Sequence, residues 1–202
     1  LAVLRRFNLP RPDILISSLG TEIYYSNRLD LSTDWAQHVD HDWNPKAIRR
    51  ILSKVKGLTN QDDENQSRFK ISYHYNNQIE GALNKDEIVS LLRKEEQTVN
   101  VFLSSGQNLD ITPARASKGM ALRYVAQIWD IPMERILVAA GAGTDEDMLT
   151  GNVLSVIVKN RGHEPLEQSA DMENISYSHA AKALGIIEAI DHYRFFEEDT
   201  QR

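Results

Sequence analysis

Residues 136–160, ILVAAGAGTDEDMLTGNVLSVIVKN, limit the fold of this chain more than any other stretch. Two short apolar runs, 136–140 and 153–158, stand on either side of a Gly-rich turn at 141–144 and an acidic cluster of Asp145, Glu146 and Asp147. Apolar, β-branched runs of this length bounded by glycine predict buried parallel strands. The turn lies where the first strand ends, which is where open α/β sheets place their sites. A carboxylate there, beside open backbone N–H groups, suits a divalent cation or a phosphate. The structural alternative is that Asp145 caps a short helix beginning at Glu146.

The rest of the chain reads as alternating elements. Residues 1–9 predict a helix ended by Pro10 and Pro12. Two strands follow at 13–19 and 21–26, and the near absence of a loop between them suggests a crossing from one sheet into another lobe. Residues 27–42 are polar and predict a loop. Its His38, Asp40, His41 and Asp42 form either a metal cluster or solvated surface. A helix over 44–55 opens with Asn44 and Pro45. Its inner face carries Ile48, Ile51, Leu52 and Val55, and its outer, solvated face Lys46, Arg49, Arg50, Lys54 and Lys56. Residues 59–67 predict a polar loop.

The stretch 68–75 alternates, with Phe69, Ile71, Tyr73 and Tyr75 opposite Arg68, Lys70, Ser72 and His74. Its polar face suits a hydroxylated ligand. A capping box at Asn84 and Glu87 starts a helix over 85–96. A hairpin turns at 105–108. Residues 21–113 thus read as a small α+β lobe with helices on one face of an antiparallel sheet. The next helix, 118–129, is expected to bury Met120, Ala121, Tyr124, Val125 and Ile128. Lys118 opposes the dipole at its start, which suggests either an anion to be met there or an ordinary surface lysine. A last helix over 180–196 is expected to pack through Ala183, Leu184, Ile187, Ala189, Ile190 and Phe195, and residues 178–181 at its start offer a second anion site.

Composition excludes several classes of function. The chain holds no cysteine, so disulfides, cysteine-ligated zinc and thiol catalysis are absent. Its net charge of −6 argues against a nucleic-acid partner. No apolar run approaches membrane-spanning length and nothing at the start resembles a signal peptide, so no membrane partner and a cytoplasmic location are expected.

Five segments together carry a family resemblance: LGTEIYY at 19–25, RFKISYHY at 68–75, SSGQNLDITPARASKGMALRYV at 104–125, VAAGAGTDEDML at 138–149 and SHAAKALGIIEAI at 178–190. They resemble the sucrose-phosphate phosphatases of the haloacid-dehalogenase-like superfamily, and more closely the phosphatase-like C-terminal domain of sucrose-phosphate synthases. The resemblance covers nearly the whole chain. It implies an α/β fold, with a Rossmann-like core from 1–20 and 114–202 and an inserted α+β cap from 21–113. The leading core strand, with the family's nucleophilic DxDxT motif and its second motif, has no counterpart here. The chain is therefore expected to be part of a longer protein and to self-associate if that segment is missing.

The resemblance also implies site residues. Lys118 matches the family's phosphate-binding lysine. Residues 140–145, AGAGTD, fall on its magnesium-holding GDSGND motif, where Asp145 matches the closing aspartate and Gly141, Ala142 and Thr144 replace an Asp, a Ser and an Asn. The Mg²⁺ site is thus expected to be degenerate. Gly20, Thr21, Glu22, Lys70 and Ser72 would bind the sugar, with Glu22 and Lys70 as an ordinary cross-strand pair in the alternative. The implied ligand is sucrose 6-phosphate or a related sugar phosphate, and the implied partner an upstream glycosyltransferase domain. Gly141 favours a non-catalytic, binding role over a truncated active phosphatase.

Overall fold

The computed structural model describes residues 6–25, 28–141, 143–160 and 175–197. Most of the expected helix over 1–9, Ala142, and the loop through His163 and Asp171 lie outside these residues. The chain forms two compact units: Leu1–Val101 with Asp110–Ser117, and Phe102–Leu109 with Lys118–Arg202.

The first unit begins with β1 (Ile14–Ser17), β2 (Glu22–Tyr25) and β3 (Asp30–Leu31), which form one antiparallel sheet. The expected crossing between lobes after residue 20 is therefore a hairpin. Ser18, Leu19 and Gly20 all take positive φ, and this left-handed run reverses the chain within a few residues.

Residues 27–42 are not a plain loop either, because Thr33–Val39 form helix α1. The Ser32 hydroxyl accepts the Trp35 N–H at 3.3 Å as its cap. Trp35, Ala36 and Val39 are buried, and the Trp35 indole N–H donates to the Gly20 carbonyl at 3.0 Å. About two turns of helix with three apolar residues are too short for periodicity to stand out among polar neighbours. His38 stacks on Trp35 in this helix, whereas His41 pairs with Asp42 beyond it.

Helix α2 (Pro45–Leu52) is capped by Asn44 and buries Ile48, Ile51 and Leu52. β4 (Leu58–Asn60) occupies the start of the expected polar loop and pairs antiparallel with β5 (Ile71–Tyr75). Helix α3 (Lys85–Lys94) carries the complete capping box of Asn84 and Glu87. β6 (Val99–Ser104) and β7 (Asn108–Pro113) complete a sheet of order β4-β5-β7-β6. Ser105 and Gly106 both have positive φ at the β6–β7 turn, as the tight primed turns of hairpins require. The Asn100 side-chain amide donates to the carbonyls of Pro113 and Ala116, fixing the chain just ahead of Lys118.

In the second unit, helix α4 (Lys118–Ile128) precedes β8 (Leu137–Ala140), β9 (Leu154–Ile157) and β10 (Ile175–Tyr177). These strands are parallel, in the order β10-β9-β8, with Leu137 opposite Leu154 and Ala140 opposite Ile157. The two apolar runs thus form the expected strands. Val138, Ala140, Leu149, Val153 and Ile157 make the buried cluster, with Leu122, Met133 and Ile175 packed against it. Each valine, leucine or isoleucine of the cluster contributes roughly 1.5–3 kcal/mol when fully buried.

The helices match the expected faces only in part: Ala121, Val125 and Ala189 are buried as expected, and several larger residues are not. α4 buries Gly119, Ala121, Val125 and Ala126, while Met120 and Ile128 are exposed. Helix α5 (Ala183–His192) buries Gly185 and Ala189, and Leu184 and Ile187 are exposed. In both, small residues set the contact. At Gly185 a Cβ would meet the Ser178 hydroxyl at 2.5 Å, so the helix approaches closer than a larger face allows. No helix among the described residues is long and apolar enough to cross a membrane.

Candidate active site

The anion that Lys118 meets is Asp145. Its ammonium donates to Asp145 Oδ1 at 2.5 Å and to the Thr144 hydroxyl at 3.1 Å. The second Asp145 oxygen accepts the Gly141 N–H at 3.0 Å. Asp145 lies inside a 3-10 helix, Gly143–Met148, so it does not cap a helix starting at Glu146. Its carboxylate instead folds back on the turn at the end of β8, the end of a parallel strand where α/β folds place their chemistry. The pair is partly open, with 27% of the Lys118 side chain and 15% of Asp145 exposed.

Asp147, of the acidic cluster, and Arg123, which the sequence did not single out, hold this turn against α4. The Gly119 N–H donates to Asp147 Oδ2 at 2.8 Å, so the carboxylate binds an otherwise unpaired donor of the helix start. A Cβ on Gly119 would collide with the Asp147 carbonyl, which explains the glycine after the lysine. Arg123 donates to the Asp147 carbonyl at 3.2 Å from the next turn of α4. Nothing comparable demands glycine at position 141, where a Cβ would stand 3.8 Å from Val158.

Lys70 and Ser72 form a second cluster, in the first unit. The Ser72 hydroxyl donates to Asp110 at 2.5 Å, and Lys70 Nζ donates to the Asn65 carbonyl at 2.6 Å, to Ser72 Oγ at 2.6 Å and to Asp110 at 3.3 Å. Ser72 is wholly buried, while His74 on the same strand is exposed. Asp110 was missed by the sequence reading. Its signal was the alternation of β7, which puts it between buried Leu109 and Ile111 and so on the opposite face.

Lys70 therefore pairs with Asp110 and not with Glu22, and no Glu22–Lys70 cross-strand pair forms. Glu22 Oε2 accepts from the hydroxyls of Ser17, Ser18 and Tyr24 at 3.3, 3.2 and 3.0 Å. Burial, reinforced by the Glu22 carboxylate, pushes the Tyr24 hydroxyl up to about 12, so it stays a donor at neutral pH. Thr21 is buried and donates to the Ser18 carbonyl at 3.0 Å.

The backbone donors at 178–181 also have an anion from the chain itself. His179 and Ala180 N–H groups donate to the Glu188 carboxylate at 2.9 and 3.0 Å, and His179 Nδ1 lies 2.8 Å from it. The His179 side chain, followed by these two N–H groups, holds Glu188 at about 2.

A magnesium ion needs oxygen donors with open coordination, commonly one or two carboxylates with water and phosphate oxygens. Here Asp145 is bound on one oxygen by a cation and on the other by an N–H, Asp147 faces a helix N–H, and Gly141 supplies no side chain. Among the described residues no three His, Cys, Asp or Glu side chains converge on a metal position. The donor set as it stands does not fit the ion.

The family model for sucrose-6F-phosphate phosphohydrolase matches residues 1–194. The chain belongs to this family. It is 28% identical over 194 residues to a mannosylfructose-phosphate phosphatase of Agrobacterium fabrum, a match covering 96% of this chain and 77% of that protein. It is 31% identical over 197 residues to sucrose-phosphatase 1 of Nicotiana tabacum, covering 90% of this chain and 44% of the relative. The fold matches the sucrose-phosphatase of Synechocystis sp. PCC6803, solved with sucrose and phosphate, with a TM-score of 0.87 at 28% identity over 97% of this chain and 80% of that one. A sugar phosphatase of the HAD superfamily, 15% identical, shares the fold with a TM-score of 0.62. The α/β haloacid-dehalogenase-type fold is thus the one this family uses.

Proposed function

We propose that this sucrose-phosphatase-type domain binds sucrose 6-phosphate, or a related phosphorylated disaccharide, without hydrolysing it, as the phosphatase-like part of a sucrose-phosphate synthase. The observation that carries this reading is position 141. At the end of β8, the group facing Asp145 is the Gly141 N–H, where the family motif has a carboxylate. Lys118 can still neutralise a phosphoryl group, because an ammonium needs only a short approach to an anion to do so. A turn with too few carboxylates holds Mg²⁺ poorly, and in this chemistry the metal would tie nucleophile to phosphate.

The division into a core of 1–20 and 114–202 and a cap of 21–113 belongs to the same proposal. So does the assignment of the sugar to Gly20, Thr21, Glu22, Lys70 and Ser72, and an upstream glycosyltransferase domain as partner. A Beta vulgaris protein carrying the name sucrose-phosphate synthase is 23% identical over 172 residues, a match spanning 16% of its length. A working phosphatase is the second reading, favoured by the phosphatases among the relatives.

The test is a titration of sucrose 6-phosphate into the full-length protein and its Lys118→Met variant. The variant should bind at least about tenfold more weakly, the loss expected of one charge-assisted contact to phosphate. Equal affinities would remove the phosphoryl group from Lys118.

A further inference from the structure

A cavity in the first unit shares no residue with the clusters described above. Its volume is about 420 Å³ and it lies between the end of α2, residues 54–56, the loop at 81–83 and α3. That volume is within the range of small-molecule sites. Ile51, Val55, Leu83 and Leu91 give it an apolar floor, and Arg50, Lys54 and Lys56 stand at its exposed rim with Glu95.

The framework around the cavity is built by bonds that do not involve the rim charges. The Tyr75 hydroxyl donates to the Leu83 carbonyl at 3.1 Å, and the Asn84–Glu87 capping box fixes the start of α3. Gly57, at φ +85°, bends the chain directly after Lys56, and its carbonyl accepts the Asn76 N–H at 2.8 Å. No Cβ of ordinary geometry fits there, since it would collide with the Asn76 carbonyl. The Lys56 side chain lies over Gly81, with Cδ and Nζ each 3.6 Å from where a Cβ would stand.

Three cations and one carboxylate around one cavity leave an excess of two positive charges, on a chain whose net charge is −6. None of the three cationic side chains makes an ion pair among the described residues. Like charges held together without a counterion repel one another, and an anion relieves that repulsion. The apolar floor selects among anions, because a hydrated inorganic ion gains nothing from Ile51 and Leu91, whereas an organic body gains their contact area.

We propose that this cavity is a binding site for a small organic dianion. Its phosphoryl or dicarboxylate group sits among Arg50, Lys54 and Lys56, and its apolar body lies on Ile51, Val55 and Leu91. The site stands independently of the Lys118 reading, and its loss leaves that reading untouched.

The test uses the full-length protein with ¹³C-labelled Ile, Val and Leu methyl groups. Phenylphosphonate is titrated in and compared with inorganic phosphate, which lacks the body, and benzyl alcohol, which lacks the charge. Phenylphosphonate should shift the Ile51, Val55 and Leu91 methyls saturably, with an apparent Kd at least about tenfold below that of either control. The triple variant Arg50→Gln, Lys54→Gln, Lys56→Gln should retain the folded methyl spectrum and bind about tenfold or more weakly, and the wild-type affinity should fall with added salt. The absence of a saturable shift, equal binding of inorganic phosphate, or an unchanged affinity in the triple variant would each overturn the proposal.

Discussion

Among the described residues, two lysine–carboxylate pairs differ in exposure and in surroundings. Lys70 and Asp110 are 15% and 14% exposed, and Lys70 also donates to Ser72 and to the Asn65 carbonyl. An ammonium has three donors, so this one is fully engaged within its own unit. Lys118 is 27% exposed and donates to two side chains, Asp145 and Thr144. The first pair is a closed network in which a missing member is costly. The second retains room for a further acceptor, and a phosphate oxygen has the charge to be one. If Lys70 does meet a sugar hydroxyl, it has to exchange one of its present partners for it.

The sharpest way to break this comparison is to remove one member from each pair. Asp110→Ala strands Lys70 and Ser72 below the surface and should cost about 3–5 kcal/mol in urea unfolding. Lys118→Met, at the more open pair, should cost only about 1–2 kcal/mol. Equal losses would mean that both pairs are structural.

Gly119→Ala addresses what holds the acidic turn against α4. Its Cβ collides with the Asp147 carbonyl, so the turn must move, at about 1–3 kcal/mol, with a matching loss of phosphate affinity. An unaffected affinity would show that the turn need not be held there.

Gly141→Asp should be smaller still in stability, within about 1 kcal/mol, because a Cβ at that position meets only ordinary contact with Val158. It should make Mg²⁺ binding measurable by calorimetry where the wild type shows none. If the wild type already binds the ion tightly, the account of position 141 fails.

Glu188 gives the smallest effect, since its carboxylate is held by backbone N–H groups at the surface. Its pKa is lowered from 4.5 to about 2 by His179 and Ala180. The folded state thus binds fewer protons than the unfolded one between these values. The contribution is complete above about pH 4.5 and is lost as pH falls toward 2. A ¹³C-carboxyl titration should show a midpoint near 2, and a midpoint near the ordinary value would contradict the contact with His179 and Ala180.

The strands of the second unit were legible because residues 136–140 and 153–158 are apolar runs with glycine at their ends, and burial on both faces demands that pattern. The caps at Asn44 and Asn84 were legible because a cap is a local contact. Helix α1 was hidden because about two turns built on Trp35, Ala36 and Val39 offer too little periodicity. The faces of α4 and α5 were legible in part: Ala121, Val125 and Ala189 are buried as expected, whereas Gly119, Ala126 and Gly185 pack through their smallness, and hydrophobicity does not register that. At the site, Lys118 and Asp145 were legible from a lysine at a helix start and a carboxylate at a strand end, the family motif gave them their roles, and the structure brings them together. Asp147 was named only as a member of the acidic cluster and Asp110 not at all, because each acts through a partner distant in sequence, Gly119 or Ser72, and no local pattern records such a meeting.

The central claim is that the turn of Lys118 and Asp145 holds a sugar phosphate without cleaving it. The direct measurement is a calorimetric titration of sucrose 6-phosphate into the full-length protein, with and without Mg²⁺, while free phosphate is followed in the same cell. Saturable binding that is indifferent to Mg²⁺ and releases no phosphate is the predicted result. Mg²⁺-dependent release of phosphate would contradict it and make the domain a working phosphatase despite Gly141.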